Sequence, residues 1–539
     1  MGRLRFTLVN TILWITLVLS ILLSENFAVF NANPMKGFNI APGYILSFVI
    51  ILFLVFYYVL EHKKNGLKFD KVLLPLFCAC GALMIFNVFR QGHREFINYD
   101  NTGNFVVDFS FNDQLSSALQ IVIWLAVIYA LIFVYNRFRL NKESIRWIAK
   151  IYVVLTLAFS FIDFIYEFNV IRDIFAGTYV GEGVEFFLGN ANVWGLLIFV
   201  GIITAIILSF KRFSWYYFSC MLVLLTYLTF TTSATAIYVS WLSVIAYILY
   251  EILSKLKVDK KMAIRNLIIF ISVSSFIVLS LTILILCKVP MFVNFWSFVS
   301  NSIISKDYFT MTGRTHLWRR ILELLAANPM DLIFGLGHGT GTTILRNYVN
   351  FTLKSAHNGL LEILLRYGII GLLIYIAFLG LVIFSLVKHI KKKNYRFAYI
   401  YGVGFVAIML HSLAESSTIF TPNIGGLFFG FIFVLPIINI IQEKRFNSLK
   451  EQLLLEEVEV NHDDKKAFLV FIVSLALSIV IGKIASAIFA LDTLCNILVA
   501  LTVLCTIFFI LSLMNYKSII NFNNYMFRNY QTKVRKDQQ

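Results

Sequence analysis

The chain has 539 residues, of which 59% are hydrophobic, 16% aromatic and only 14% charged. Soluble chains carry about 25% charged residues, and the apolar residues here come in unbroken blocks long enough to cross a bilayer of roughly 30 Å as helices. A soluble multidomain protein, a disordered chain and a fibre are excluded, and the net charge of +17 does not point to nucleic acid, because the cations sit between the blocks.

In chain order the blocks fall near 7–24, 42–60, 72–89, 116–135, 149–167, 193–210, 214–231, 235–254, 265–287, 358–387, 396–413, 424–441, 467–490 and 493–514. They predict an all-α, polytopic membrane helix bundle of about fourteen spans, with both termini on one side. The first block follows Arg3 and Arg5. It is too long for a signal peptide and has no small-residue cleavage site after it, so it reads as a span with a cytoplasmic N-terminus. Most of the 46 basic residues then fall on the cytoplasmic side, as the positive-inside rule requires. The six cysteines lie in or beside apolar blocks, form neither a zinc pair nor a redox motif, and read as packing or lipid-facing residues.

This divides the chain into spans one to nine (1–288), a large external loop (289–356), spans ten to twelve (357–441), a cytoplasmic linker (442–466) and a C-terminal hairpin with a basic tail (467–539). Shorter external segments cover 90–114 and 168–191. The large loop is too long for a mere connection. It carries Lys306, Arg314, Arg319, Arg320, Arg346 and Lys354 against Asp307, Glu323 and Asp331, an excess of positive charge on the side where cations are otherwise scarce.

Within it, Leu317, Trp318, Ile321, Leu324 and Leu325 share one face of a helix that Pro329 ends. Such a helix is expected to lie in the membrane interface. The glycine-rich stretch 335–341 either exposes backbone N–H groups to a ligand or is a simple turn. His357 and Asn358 then open the tenth span.

Arginine suits phosphate, because its planar fork gives paired charge-assisted hydrogen bonds and never deprotonates. Several arginines beside a membrane-level groove suggest a lipid-linked pyrophosphate. No external loop holds a DxD-type acidic pair, and the adjacent pair Asp463-Asp464 is cytoplasmic. Arginines, with no metal and no cofactor, are therefore expected to neutralise a departing pyrophosphate. Arg366 lies within the tenth span and is expected to pair with Glu362, one turn away on the same face.

Taken in order, Gly313-Arg314-(x)3-Trp318, Asn328-Pro329, Gly335-Leu336-Gly337 and His357-Asn358-(x)9-Gly368-(x)2-Gly371 resemble the shared region of O-antigen ligases and Wzy-type O-antigen, capsule or exopolysaccharide polymerases. Asn190-Ala191-Asn192 upstream, and His411-Ser412-(x)2-Glu415 and Pro422 downstream, are in keeping with it, so the resemblance covers roughly 190–440. Two positions depart from the pattern. Thr232-Ser233-Ala234 stands where the family usually has Ser-Arg, and Arg366 stands where an acidic residue is common. Arg172-(x)10-Gly183 resembles an arginine pattern of the polymerases and offers a substitute for the absent arginine.

The resemblance implies a GT-C-like integral-membrane glycosyltransferase in a bacterial cytoplasmic membrane, with its active site on the external face. The donor would be an oligosaccharide on undecaprenyl pyrophosphate, transferred with inversion and without metal. His357 and Arg314 would be the catalytic residues, the first orienting or deprotonating the acceptor hydroxyl and the second stabilising the pyrophosphate. Arg172, Arg319, Arg320, Arg346, Asn358 and Asn192 would bind the pyrophosphate or glycan. A flippase and a chain-length regulator of the same pathway would be partners. A ligase acting on another acceptor remains open, and so does a lipid-oligosaccharide flippase, given Asp163, Glu167, Glu362 and Lys483 in or at the ends of spans.

Overall fold

Long apolar helices dominate the computed structural model, which describes residues 73–97, most of 104–125, 142–185 apart from 180 and 182, 191–209, 213–254, 260–304, 314–349 and 355–416. The expected spans at 7–24, 42–60, 424–441, 467–490 and 493–514, most of that at 116–135, and the linker 442–466 lie outside the described residues. We number the elements α1 (Leu73–Arg90), β1 (His93–Ile97), β2 (Asn104–Asp108), α2 (Lys142–Tyr166), α3 (Phe168–Ala176), α4 (Ala191–Leu208), α5 (Trp215–Leu228), α6 (Ala234–Ser254) and α7 (Lys260–Leu286). There follow α8 (Pro290–Val299), α9 (Arg314–Ala326), α10 (Pro329–Phe334), α11 (Thr340–Val349), α12 (Gly359–Lys391) and α13 (Tyr395–Ala414).

Among the described residues, α4, α6, α7, α12 and α13 are long and apolar enough to cross a membrane. A sixth span results if α2 and α3, bent by 66° at Glu167, form one crossing. The apolar stretches Cys78–Arg90 of α1 and Trp215–Thr231, which includes α5, are shorter. The chain is a predominantly α-helical membrane protein.

Hydrophobicity around the helix decides each position in the bundle. The central α4 is apolar on every side and almost entirely buried, packed against α2, α5, α6 and α13. Its neighbours bury one side against it and carry exposed apolar residues on the other, such as Leu242 of α6 and Val406 of α13. Ile268, Phe276 and Leu286 of α7 are likewise exposed, as in a helix that presents its surface to lipid. Arg396 at the start of α13 pairs with Glu251 near the end of α6 and donates to the Ser209 carbonyl at 3.0 Å, joining three elements at one end of the bundle. At the other end, which we call the loop end, α12 begins and α13 finishes.

A second core forms at the loop end. Leu317, Ile321, Leu324 and Leu325 of α9 pack with Phe96 and Val107 of the hairpin, Ile344 and Leu345 of α11, and Leu364 and Leu365 of α12. The expected apolar face of α9 is therefore present, but it is buried against protein. What is corrected is the partner of that face: the hairpin and α12 supply an apolar surface that the sequence of α9 alone does not reveal. Pro329 does more than end α9. It is the first residue of α10, capped by Asn328, whose Oδ1 accepts the Met330 N–H at 3.0 Å.

The segment 90–114 holds an antiparallel β-hairpin that a purely α-helical reading lacks. Its register pairs Arg94 with Val107 and Phe96 with Phe105, placing these four residues on one face. That face packs into the second core with α9, α11 and α12, and its Arg94 reaches α10. Asp331, buried in α10, receives both terminal nitrogens of Arg94, at 2.8 and 2.9 Å, and a third ion pair from Arg90 at 2.8 Å.

The glycine loop between α10 and α11 has a structural reason. At Gly368, α12 is broken, with φ 65° and ψ −165°, so the carbonyls of Leu365 and Arg366 lose helical partners. The N–H groups of Leu336 and Gly337 occupy them instead, at 2.7 and 2.9 Å. The two chains run so close that a Cβ on Gly335 would sit 2.5 Å from backbone atoms of Arg366 and Gly368. The N–H groups of Gly335 and Gly341 are also used within the fold, by the carbonyls of Asp331 and Gly337, which corrects the expectation of ligand-facing N–H groups at Gly335, Leu336, Gly337 and Gly341.

Candidate functional site

The beginnings of α9 and α12 and the end of α13 converge at the loop end. Asn358 caps α12, its Oδ1 accepting the N–H groups of Leu360 and Leu361 at 3.0 and 3.1 Å. Its Nδ2 donates to the Leu413 carbonyl at 2.9 Å, so one amide starts α12 and ties it to α13. His357 precedes the cap and is not yet helical. Its φ of 48° lies in the left-handed region, which costs a non-glycine residue on the order of 1–3 kcal/mol unless its surroundings hold it there.

They do hold it. The N–H of the preceding Ala356 donates to Glu362 Oε2 at 2.6 Å, and its carbonyl accepts from Trp318 Nε1 at 3.0 Å. The resulting backbone brings His357 Nδ1 to 3.3 Å from Oε2 of Glu415, the residue that closes α13. The other oxygen of Glu415 lies 3.1 Å from Arg314 Nη2, while Arg314 Nη1 donates to the Ala414 carbonyl. An ionised carboxylate only accepts, so Nδ1 carries the proton of this hydrogen bond, and Nε2 is the nitrogen left for other chemistry.

Burial pushes the Glu415 carboxyl up, but the hydrogen bond from His357 and the charge of Arg314 outweigh it and bring it down from 4.5 to about 2. A carboxylate depressed in the folded state contributes stability above its unfolded value and loses it as the pH falls through the folded one. The melting-temperature difference between wild type and Glu415→Gln should therefore be fully present at about pH 5 and shrink as the pH drops from about 4.5 towards 2. A difference that grew over that acid range would contradict the Arg314–Glu415–His357 arrangement.

Beneath this triad lies a second polar cluster. Arg366 Nη2 is 2.5 Å from Glu362 Oε1, both side chains almost fully buried, so the expected pair is present. Arg366 Nη1 also lies 3.2 Å from Nδ1 of His338, which is itself 2.8 Å from the Tyr367 hydroxyl. Burial, and then the Arg366 charge, hold the His338 imidazole well below its ordinary range, so it is neutral. Arg366→Ala would strand the Glu362 carboxylate in this interior, at about 3–5 kcal/mol. A clear fall in the thermal unfolding temperature of purified protein is the expected result; an unchanged temperature with turnover lost would assign Arg366 to catalysis or substrate contact.

Arg319, Arg320 and Arg172 have carboxylate partners of their own. Arg319 and Arg320 both pair with Glu323 on their own helix, at 2.9 and 2.7 Å, and the two cations lower its carboxyl. Arg172 is largely exposed and pairs with its neighbour Asp173 at 3.1 Å. The loop after it does reach the turn that lacks an arginine: Val184 N–H donates to the Phe230 carbonyl at 2.8 Å, and a Cβ on Gly183 would strike Phe230 and Thr232. Asn192 is exposed in the first turn of α4. Arg346 lies on α11, with its side chain outside the described part. Asp163 is buried and takes hydrogen bonds from Trp194 Nε1 at 2.7 Å and the Tyr227 hydroxyl at 2.5 Å, joining α2, α4 and α5.

Sequence reasoning noted Glu415 only as part of a motif and missed that it links His357 to Arg314. Its position four residues after His411, at the end of an apolar block, was the available signal. Arg90 and Arg94 were missed as partners of Asp331. No protein-family model matches the chain, and neither a curated protein nor a solved structure does.

Proposed function

We propose that this chain is a membrane glycosyltransferase that polymerises undecaprenyl-pyrophosphate-linked repeat units on the external face of a bacterial cytoplasmic membrane. The observation that carries the reading is the contact of His357 and Arg314 with one carboxylate, Glu415, at a bundle end covered by the basic loop. The order of motifs from Arg314 to Glu415 supports it independently. We place the site in a GT-C-like bundle of about fourteen spans with both termini cytoplasmic.

In this reading the acceptor hydroxyl attacks the anomeric carbon of the donor sugar from the face opposite the lipid pyrophosphate. The new glycosidic bond forms as the bond to the pyrophosphate oxygen breaks, with inversion. His357 Nε2 receives the hydroxyl proton, while Glu415 fixes the ring through Nδ1 and stabilises the imidazolium. Arg314, whose side chain retains about 20% exposure, braces Glu415 and turns its remaining edge to the departing pyrophosphate. Arg319, Arg320 and Arg346 add positive charge to the loop that meets it.

Purified protein given a lipid-linked repeat unit should produce a ladder of lengthened glycans. A single transfer to a different acceptor would replace the polymerase by a ligase, and lipid movement without transfer would replace both by a flippase. Arg314→Lys keeps the charge but loses the planar fork. It should lower single-turnover transfer on the order of 10²-fold, and a silent substitution would move pyrophosphate recognition to Arg172 or Arg346.

A further inference from the structure

We propose that Glu362 is the positioning residue of this site: one oxygen of its carboxylate holds both ends of the His357–Glu415 contact. The inference rests on the transferase reading for its catalytic consequence, but its geometry stands apart from that reading.

Oε2 of Glu362 accepts the N–H of Ala356 at 2.6 Å and the hydroxyl of Ser416 at 3.3 Å. Ala356 immediately precedes His357, and Ser416 immediately follows Glu415. The two functional side chains are 58 residues apart in sequence, at the ends of two helices that pack along each other and are also tied by Asn358 to the Leu413 carbonyl. A shared acceptor behind them fixes the distance between the two backbones, and with it the separation of Nδ1 from the Glu415 carboxylate. The left-handed φ of His357 makes such a hold necessary, since a free segment would relax to an extended conformation and swing the imidazole away.

Charge is what makes the acceptor effective. The other oxygen of Glu362 pairs with a cation, Arg366 Nη2, at 2.5 Å, and hydrogen bonds to a charged acceptor are the strong ones. The neutral His338 on the far side of the guanidinium does not compete with Glu362 for that charge. Arg366 therefore acts on the site through Glu362, from about nine residues deeper in the span, although it touches neither His357 nor Glu415 in any contact described above. This also gives a reason for a cation at a position where the family pattern commonly has an acidic residue.

The test uses the full-length protein and two variants. Ser416→Ala removes one of the two ties and leaves the ion pair in place. Glu362→Gln combined with Arg366→Gln removes the charge from both partners together, so neither is stranded, and its melting curve verifies folding. Two quantities are read: the rate at which diethyl pyrocarbonate acylates His357, followed by mass spectrometry, and the division of the transfer defect between kcat and KM for the lipid-linked donor. In both variants, loosening the contact should raise the acylation rate several-fold. Losing one hydrogen bond in Ser416→Ala should lower kcat by roughly 3- to 10-fold with KM unchanged.

Unchanged acylation and unchanged kcat in folded variants would overturn the proposal and leave Glu362 a structural partner of Arg366. So would a loss of kcat without any change in acylation, since the defect would then bypass His357. If the wild-type chain transfers no glycan at all, the transferase reading fails, and acylation alone decides the positioning role.

Discussion

His357→Ala is expected to abolish glycosyl transfer while leaving the lipid-linked donor bound. The imidazole is half-buried, and the contacts described for its side chain run to Glu415 and not to the packed cores. Its removal therefore takes away a proton acceptor without opening a cavity. General bases of this kind typically contribute 10²- to 10⁴-fold, and a transfer that also needs the acceptor hydroxyl aligned should fall towards the upper end. His357→Gln retains a side-chain amide able to meet Glu415, so it should keep a measurable residue of activity by orienting the acceptor. Donor binding and single-turnover transfer, measured side by side on detergent-purified protein, separate the two contributions. Wild-type transfer by His357→Ala would remove the histidine from the mechanism altogether.

The largest effect on stability should come from Asp331→Ala. Asp331 is only 1% exposed and neutralises two guanidinium groups at once, Arg94 through both oxygens and Arg90 through one. Truncating it strands two cations under the β-hairpin, and breaking a buried pair by removing one partner costs about 3–5 kcal/mol. The hairpin should then detach from α10, exposing the face that carries Phe96 and Val107. Thermal unfolding should show a large drop, and trypsin should cut at Arg94 before the bundle unfolds. Asp331→Asn keeps the shape and loses the charge, so it should fall between the two. A melting curve superimposable on wild type for Asp331→Ala would mean that the hairpin is held by its apolar face alone.

The membrane spans among the described residues were legible because hydrophobicity is a local property. The block at 235–254 became Ala234–Ser254, that at 396–413 became Tyr395–Ala414, and that at 193–210 became Ala191–Leu208. Arg366 and Glu362 were legible for the same reason, lying one helical turn apart. What escaped the sequence depends on partners distant along the chain. The hairpin consists of two five-residue strands, too short for alternation to stand out, and it is stabilised by Asp331 more than 200 residues later. The apolar face of α9 was recognised but its destination was not, because a stripe of leucines looks the same whether lipid or protein covers it. The glycines at 335, 337 and 368 were visible as a motif, yet their purpose depends on two backbones passing within a few ångströms of each other. Glu415 needed both its partners in view before it could be given a task.

The break at Gly368 changes what a loop mutation means. The last carbonyls of the first turns of α12 accept the backbone N–H groups of residues 336 and 337, and the helix beyond the break continues without them. This short upper segment is consequently a mechanical part of the loop, although in sequence it belongs to a membrane helix. An insertion or a glycine replacement at 335–337 would uncover two carbonyls in a setting with little water, where each unsatisfied group costs several kcal/mol. Such a lesion should appear as failed bundle assembly and loss of protein from the membrane. The same coupling fixes the glycine loop to the upper part of α12, so any motion at this end of the bundle has to hinge somewhere else.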